Sequence, residues 1–219
     1  MKPFIHDDFL LNNETAVQLY HQFAKDMPIY DYHCHLSPKD IAENKKFTSI
    51  TELWLSGDHY KWRALRAHGI DEYFITGGAS DEEKFAAWAN TVPYTIGNAL
   101  YHWTHMELKR YFGVEQLLNG DNWETIYRHC NALLQQADYS TQGFIKRSNV
   151  KVICTTDDPT DALYYHDLIR EQKDFDVKVL PTFRPDRGLE INKETFPEFV
   201  TQLEQITSRT FYTFNDFVQ

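Results

Sequence analysis

The segment that decides the fold is Ile29-Tyr30-Asp31-Tyr32-His33-Cys34-His35-Leu36, which directly follows a proline. Its β-branched and aromatic residues predict a strand over residues 29–36. Further strands are predicted over residues 150–155 and 177–181, followed by helices at about 161–171 and 193–205. Strands that alternate with helices at this spacing indicate βαβ units and a parallel sheet, so we assign the chain to the α/β class.

The stretch between the first two predicted strands is predicted to be helical. Several of its helices are marked by capping residues: Asp58 precedes one helix, and Ser80 with Glu83 has capping-box spacing ahead of another. We therefore divide the chain into residues 1–38 (an N-terminal helix and the first strand), residues 39–149 (a helical insertion) and residues 150–219 (the second and third strands with their helices).

The strand count is too low for a closed barrel. A (β/α)8 barrel takes about 250 residues, or roughly 30 per strand–helix unit. Because residues 39–149 form an insertion, the 219 residues have room for only three barrel strands. Residues 214–219 resemble the middle of a helix, so we expect the chain to hold the beginning of a barrel and not the whole of it.

Composition restricts the classes of partner. The formal net charge of −10 argues against a nucleic-acid backbone as ligand, because phosphate contacts require clustered lysine and arginine. The three cysteines are far apart and odd in number, which predicts no disulfide framework. No apolar run approaches 18 residues and no apolar segment follows Met1, so we expect no membrane span, no secretory signal and a cytoplasmic location.

His33 and His35 suggest a metal site at the end of the first strand. Residues i and i+2 of a strand share one face, with Cα atoms about 6–7 Å apart. Two imidazoles at that spacing can bind one divalent ion, such as zinc, with bonds of about 2.0–2.1 Å. Cys34 would point to the opposite face and pack. The alternative is two unrelated histidines near a sheet edge.

His59 and Tyr60 follow the capping residue Asp58 and fall in the first turn of a helix. Backbone N–H groups and the helix dipole make this end favourable for anions. The Tyr60 hydroxyl could exchange a proton with a substrate oxygen there. The alternative interpretation is a well-capped surface helix with no chemical role.

Arg184 follows the third predicted strand, in Phe183-Arg184-Pro185-Asp186. A guanidinium matches both oxygens of a carboxylate, although an ion pair with Asp186 explains the residue equally well. Residues 155–159, at the end of the second strand, could line a pocket or form an Asx-turn that caps a helix. His102 and His105 have metal-ligand spacing on a helix, but no carboxylate pattern supports a metal, which favours packing or surface roles.

Taken together, these segments resemble the uronate isomerases of the amidohydrolase superfamily. The resemblance covers essentially the whole chain, and its strength lies in the shared order and spacing of the motifs. The matching segments are Ala24-Lys25-Asp26, His33-Cys34-His35, residues 57–63, Trp88-Ala89-Asn90-Thr91-Val92-Pro93, residues 100–107, residues 155–159 and residues 180–186.

The resemblance implies a distorted (β/α)8 TIM barrel with a helical insertion after strand 1. It implies interconversion of D-glucuronate with D-fructuronate and of D-galacturonate with D-tagaturonate, by proton transfer from C2 to C1 through a cis-enediol. By the same resemblance, His33 and His35 hold a divalent metal, usually zinc, that binds the substrate's C6 carboxylate and C5 hydroxyl. Tyr60 is catalytic near the C1 oxygen, while His59 and Arg184 bind substrate.

The family also uses an aspartate and an arginine at the end of strand eight and a histidine on a middle strand, which have no counterpart in this chain. We therefore expect weak zinc binding, no activity of the isolated chain, and association with a further copy or with the remainder of the barrel. A metal-dependent hydrolase and a non-catalytic fragment that binds metal or sugar acid are the alternatives. Tyr60 and Arg184 favour the isomerase.

Overall fold

The computed structural model describes residues 2–219, which divide into two compact units. Unit 1 consists of Met1–Met27 and Lys45–Phe144, and unit 2 consists of Pro28–Asn44 and Ile145–Gln219. The N-terminal helix is thus grouped with the helices of the insertion, whereas the division expected from the sequence followed chain order.

Helices make up most of the regular structure. A π-helical turn over Tyr20–Ala24 continues the first helix, and 3-10 turns lie at Glu72–Phe74 and Val92–Thr95. In chain order the helices are α1 (Glu14–Leu19), α2 (Pro38–Ala42), α3 (Ile50–Leu55), α4 (His59–Ala67), α5 (Asp81–Thr91), α6 (Ala99–Phe112), α7 (Trp123–Leu134), α8 (Thr141–Arg147), α9 (Tyr164–Glu171), α10 (Asp186–Leu189), α11 (Phe196–Thr207) and α12 (Phe214–Val218).

Unit 2 is built on a parallel sheet of β1 (Ile29–Cys34), β2 (Val150–Asp157) and β3 (Lys178–Phe183), in the order β1-β2-β3. The α/β class and all three predicted strands are confirmed. The first strand is shorter than predicted, because the Ser37 hydroxyl caps α2 and Pro38 at the helix start cannot donate to a strand ladder. His35 therefore lies just past the end of β1.

One face of the sheet forms the core of unit 2. Cys34, Ile153 and Val179, one from each strand, are buried together with Ile169 of α9. Burying aliphatic side chains of this kind stabilises a fold by roughly 1.5–3 kcal/mol each. On the other face, Leu180 remains exposed, so among the described residues this sheet has one covered face.

The pairing of β1 with β2 is irregular where the two histidines begin. Asp31 pairs with Ile153 and Cys34 pairs with Thr155, so two residues of β1 lie opposite one residue of β2. This is the residue count of a β-bulge, which re-aims side chains and often lies beside functional sites. As a result, neighbouring residues Tyr32 and His33 are both exposed before Cys34 returns to the core.

Unit 1 is a helical body with its own core, which includes Trp54, Phe85, Trp88 and Leu108. Several of its predicted boundaries are confirmed. Asp58 caps α4, and the capping box of Ser80 and Glu83 is present at the start of α5. Gly113 ends α6 in the left-handed conformation with φ 67°. Within residues 2–219, no helix is long and apolar enough to cross a bilayer.

Candidate functional site

His33 and His35 lie side by side at the carboxyl end of β1. Both side chains are exposed, and their ring centroids are 5.2 Å apart with the ring planes at 80°. The Cys34 side chain between them is buried in the core, as predicted, and burial raises the pKa of its thiol. Cys34 is therefore a packing residue, while the two imidazoles face solvent together.

The spacing of the two rings suits a shared metal ion. Two imidazoles bound to one tetrahedral ion at about 2.0–2.1 Å would have ring centroids about 5 Å apart. However, residues 2–219 contain no group of three or more His, Cys, Asp or Glu side chains placed to hold a metal. Catalytic zinc sites use three protein ligands, so the pair fits as part of a ligand set and not as a complete one.

Arg184 directly follows β3 in the same unit. Its backbone N–H donates to the Asp157 carbonyl oxygen at 3.0 Å, which fixes the start of the loop against β2. Its Nε donates to the Asp186 carboxylate, so the ion pair considered from the sequence is present. A guanidinium has five N–H donors, and this half-exposed side chain keeps donors for a second carboxylate.

His59 and Tyr60 open α4 in unit 1, as the sequence predicted. The Asp58 carboxylate accepts hydrogen bonds from the N–H groups of Tyr60 and Lys61, at 2.9 and 3.1 Å. Tyr60 is 57% exposed, its ring centroid lies 4.3 Å from that of the His59 ring with the planes tilted by 33°, and it lies 5.8 Å from the Arg63 guanidinium carbon. The phenol is therefore accessible and is held by a capped helix end.

A buried charge pair beneath this helix end was not anticipated. The Lys61 ammonium lies 2.5 Å from the second Asp58 oxygen and 5.8 Å from the Trp54 ring centroid, with its side chain only 8% exposed. Burial raises the pKa of Glu107, against the opposing effect of Lys61. Lysine is rarely buried. The i,i+3 spacing of Asp58 and Lys61 is visible in the sequence, but it does not show that the pair is buried.

At the end of β2, the Asx-turn considered from the sequence is present. Asp158 forms an Asx-turn, because its Oδ1 accepts from the Thr160 N–H at 2.9 Å. The helix cap that this alternative included is absent: α9 begins only at Tyr164, after Leu163 in the left-handed conformation, with no side-chain cap. The three residues between the Asx-turn and that helix separate the aspartate from the N–H groups it would have capped.

His105 is a core residue, as the packing interpretation predicted. Leu118 N–H donates to its Nε2 at 3.0 Å, which requires that Nδ1 carry the proton and donate to the Tyr101 carbonyl oxygen at 2.7 Å. Burial lowers the pKa of this imidazole. A neutral histidine with both nitrogens engaged is not available to bind a metal.

The structure thus brings His33 and His35 together and holds Arg184 at the carboxyl end of the same sheet. His59 and Tyr60 belong to unit 1. Sequence reasoning missed a buried network of Thr155, Asp157 and His166 in unit 2; its only sequence signal is the alternation of polar residues on the inward face of β2.

Known proteins of one family match this chain over its whole length. The family model described as glucuronate isomerase matches residues 1–219. A uronate isomerase of Bacillus subtilis is 58% identical over 219 residues, and one of Caldanaerobacter subterraneus subsp. tengcongensis is 56% identical over 219 residues. These matches cover 100% of this chain but 46% and 47% of the two relatives, so the chain spans about half of their length.

Solved structures agree with the fold. A crystal structure of uronate isomerase from Thermotoga maritima superposes with a TM-score of 0.91 at 35% identity, over 99% of this chain and 47% of that one. A glucuronate isomerase structure from Caulobacter crescentus gives 0.87 at 23% identity, which supports the fold alone, over 99% of this chain and 48% of that one. Because the family model matches residues 1–219 and the relatives are more than half identical, the chain belongs to the glucuronate isomerase family.

Proposed function

We propose that this chain supplies the metal-binding and carboxylate-binding residues of a uronate isomerase, which interconverts D-glucuronate with D-fructuronate and D-galacturonate with D-tagaturonate. The observation that carries the proposal is the exposed pair His33 and His35, with ring centroids 5.2 Å apart at the carboxyl end of a parallel strand. Membership of the glucuronate isomerase family supports the isomerase over a metal-dependent hydrolase.

The substrate is an anion with a carboxylate at C6, and unit 2 offers two kinds of group for it. A divalent ion held by His33 and His35, which we propose to be zinc, would neutralise the carboxylate and orient the neighbouring hydroxyl. Arg184 would bind carboxylate oxygens through the guanidinium donors that Asp186 leaves free.

Tyr60 is proposed as the proton-transfer residue. During isomerisation a hydrogen moves from C2 to C1 and a hydroxyl proton moves from O2 to O1, through a cis-enediol. The Tyr60 phenol can donate to or accept from the C1 oxygen, and the helix N-terminus beneath it favours negative charge developing there. His59 lies against the Tyr60 ring, with the centroids 4.3 Å apart, and is proposed to bind substrate.

The test uses a protein of the relatives' full length, because the chain spans about half of that length. Tyr60→Phe should lower kcat by about 10²–10⁴-fold with a small change in KM, since proton transfer acts in the transition state. Tyr94→Phe is the control, because Tyr94 is another exposed tyrosine of unit 1, at 74% against 57% for Tyr60. Near-wild-type kcat in Tyr60→Phe would remove Tyr60 from the mechanism.

Arg184→Met should mainly raise KM for the uronate, by roughly 10–100-fold, because it removes a charged hydrogen bond made in both the ground and transition states. Arg170→Met is the control: Arg170 is an exposed arginine of α9 whose partner is Asp167. An unchanged KM in Arg184→Met would assign Arg184 to its ion pair with Asp186 alone.

Over residues 2–219, the sheet of unit 2 has two unpaired edges. β1 and β3 each pair only with β2 among the described residues, so each leaves an edge of unpaired N–H and C=O groups. We propose that further strands of a (β/α)8 barrel of the amidohydrolase type cover these edges, and that the 219 residues alone associate or pack loosely and lack turnover. A cytoplasmic location and a homo-oligomer are part of the same proposal.

A further inference from the structure

A buried hydrogen-bonded network lies at the carboxyl end of β2. The Thr155 hydroxyl donates to Asp157 Oδ2 at 2.7 Å and lies 2.8 Å from His166 Nε2. His166 Nε2 is 3.6 Å from the other Asp157 oxygen. All three residues are buried, Thr155 completely. Buried polar side chains are nearly always hydrogen-bonded, because an unpaired polar group is costly there. A satisfied network of this kind holds its members in one geometry.

The donor order within the network follows from proton counting. A hydroxyl has one proton, and a carboxylate can only accept. The Thr155 hydroxyl also lies 3.3 Å from the Leu180 carbonyl oxygen, which can likewise only accept, and the shorter contact takes the proton to Asp157. With either acceptor the Thr155 proton is used, so the contact between His166 and Thr155 requires a proton on Nε2. His166 is therefore an Nε2–H donor to Thr155, and Thr155 in turn donates to Asp157.

This arrangement is not that of a nucleophilic triad. In such a triad the carboxylate orients the histidine through Nδ1 and leaves Nε2 facing the hydroxyl as an acceptor. Here the carboxylate and the imidazole both converge on the Thr155 hydroxyl, and the imidazole donates. Thr155 also shares the buried face of β2 with Ile153, so it has no access to a substrate.

The network is joined to the residues proposed to bind substrate and metal. The Asp157 carbonyl accepts the Arg184 N–H at 3.0 Å. Next to the network, the Thr156 hydroxyl donates to the Cys34 carbonyl at 3.3 Å, between the two histidines. The Thr182 hydroxyl donates to the Thr155 carbonyl. The end of β2 therefore bonds both to the strand end that carries the histidines and to the start of the Arg184 loop.

We propose that Thr155, Asp157 and His166 form a positioning network that holds Arg184 in place for the substrate carboxylate. For the role of Arg184 this rests on the proposed function. His166 extends from α9 and ties that helix to the end of β2, which fixes the Asp157 backbone and thereby the Arg184 N–H. None of the three residues touches the substrate.

The first test needs no activity. In a protein of the relatives' full length, nitrogen NMR of the histidine rings should show a proton on His166 Nε2. In Thr155→Val, the signal of this N–H should lose its hydrogen-bonded shift. His166→Leu should speed amide exchange at Arg184 by about tenfold or more, because the bond to the Asp157 carbonyl loses its support. His166→Gln, whose amide N–H can donate to Thr155, should restore slow exchange. An Nδ1–H tautomer, or equal exchange in all variants, would overturn the network.

The second test uses the full-length protein and a ketose-uronate assay. His166→Leu should raise KM by about tenfold while kcat changes less than threefold, and His166→Gln should recover most of the loss. Asp167→Asn, an exposed neighbour on α9, is the control. If the wild-type protein isomerises no uronate, the proposed function fails and the exchange data alone decide the network. If it is active and His166→Leu leaves KM unchanged, the positioning role is wrong.

Discussion

Replacing Asp58 by alanine should destabilise unit 1 strongly, because this carboxylate does two things. It caps α4 through the N–H groups of Tyr60 and Lys61, and it neutralises the buried Lys61 ammonium at 2.5 Å. Burial would raise the pKa of Asp58, yet the hydrogen bond and charge of Lys61 hold it below the ordinary 3.8. The stabilisation is therefore present above pH 3.8 and is lost as the pH falls through the lowered pKa of the folded state.

The magnitude follows from adding the two effects. Loss of an N-cap costs about 0.5–2 kcal/mol. Breaking a fully buried ion pair costs about 3–5 kcal/mol, because a charge is left without compensation. The Asp58 side chain is 27% exposed, so solvent screens part of this second cost. We expect Asp58→Ala to lower the free energy of unfolding by about 2–4 kcal/mol.

The assay is urea unfolding followed by tryptophan fluorescence. All five tryptophans of the chain lie between residues 54 and 123, so their emission reports on unit 1. Lys61→Met in the Asp58→Ala background removes the uncompensated charge, and the double variant should recover about 1–3 kcal/mol. Asp58→Asn keeps a side chain that can cap α4, so its change in unfolding free energy should report only the loss of the negative charge opposite Lys61.

Two results would show that the capped charge pair does not stabilise unit 1. A loss below about 0.5 kcal/mol in Asp58→Ala would mean that neither the cap nor the charge pair stabilises the helix. Additive effects of Asp58→Ala and Lys61→Met, with no recovery in the double variant, would mean that the two side chains do not interact energetically.

Other changes in unit 1 should have smaller, separable effects by the same assay. Thr104→Val should be neutral or stabilising by up to about 1 kcal/mol, because the buried Thr104 hydroxyl has no partner among the described residues. Thr91 is equally buried, but its hydroxyl donates to the Ala87 carbonyl oxygen, so Thr91→Val should lower the free energy of unfolding by about 1 kcal/mol. Equal changes in the two valine variants would contradict this difference. Gly143→Ala should cost about 1–3 kcal/mol, since its Cβ would overlap a backbone carbonyl oxygen, while Gly57→Ala, with open space around it, should cost much less. Burial lowers the pKa of His105 from 6.5, so its stabilisation is present above pH 6.5 and is lost as the pH falls through the lower folded value. The unfolding free energy should therefore drop between pH 7 and 5, less steeply in His105→Gln, and identical slopes would contradict the assignment.

Much of the fold was predictable from local sequence. The strand around His33, the capping box at Ser80 and the helix stop at Gly113 each depend on side chains within a few residues of one another. Such signals are complete in the sequence itself, because the backbone groups they satisfy are neighbours along the chain.

The features that were not predicted depend on partners distant in sequence. The bulge before Cys34 arises from pairing with a strand more than a hundred residues away, so alternation along β1 alone could not show it. The charge of Lys61 acts on Glu107, more than forty residues away, and the position of His166 depends on β2. Tertiary contacts of this kind override local preference, and they determine how the site residues are held.

The pairing of His33 and His35 is most directly tested by calorimetric titration of the chain with Zn²⁺. We expect one weak site. Its affinity should be unchanged in His59→Asn, an exposed histidine outside the pair, and reduced at least tenfold in His33→Asn and in His35→Asn. Equal affinity in all four proteins would show that His33 and His35 do not share a metal, and tight binding that survives loss of either histidine would show that other residues hold it.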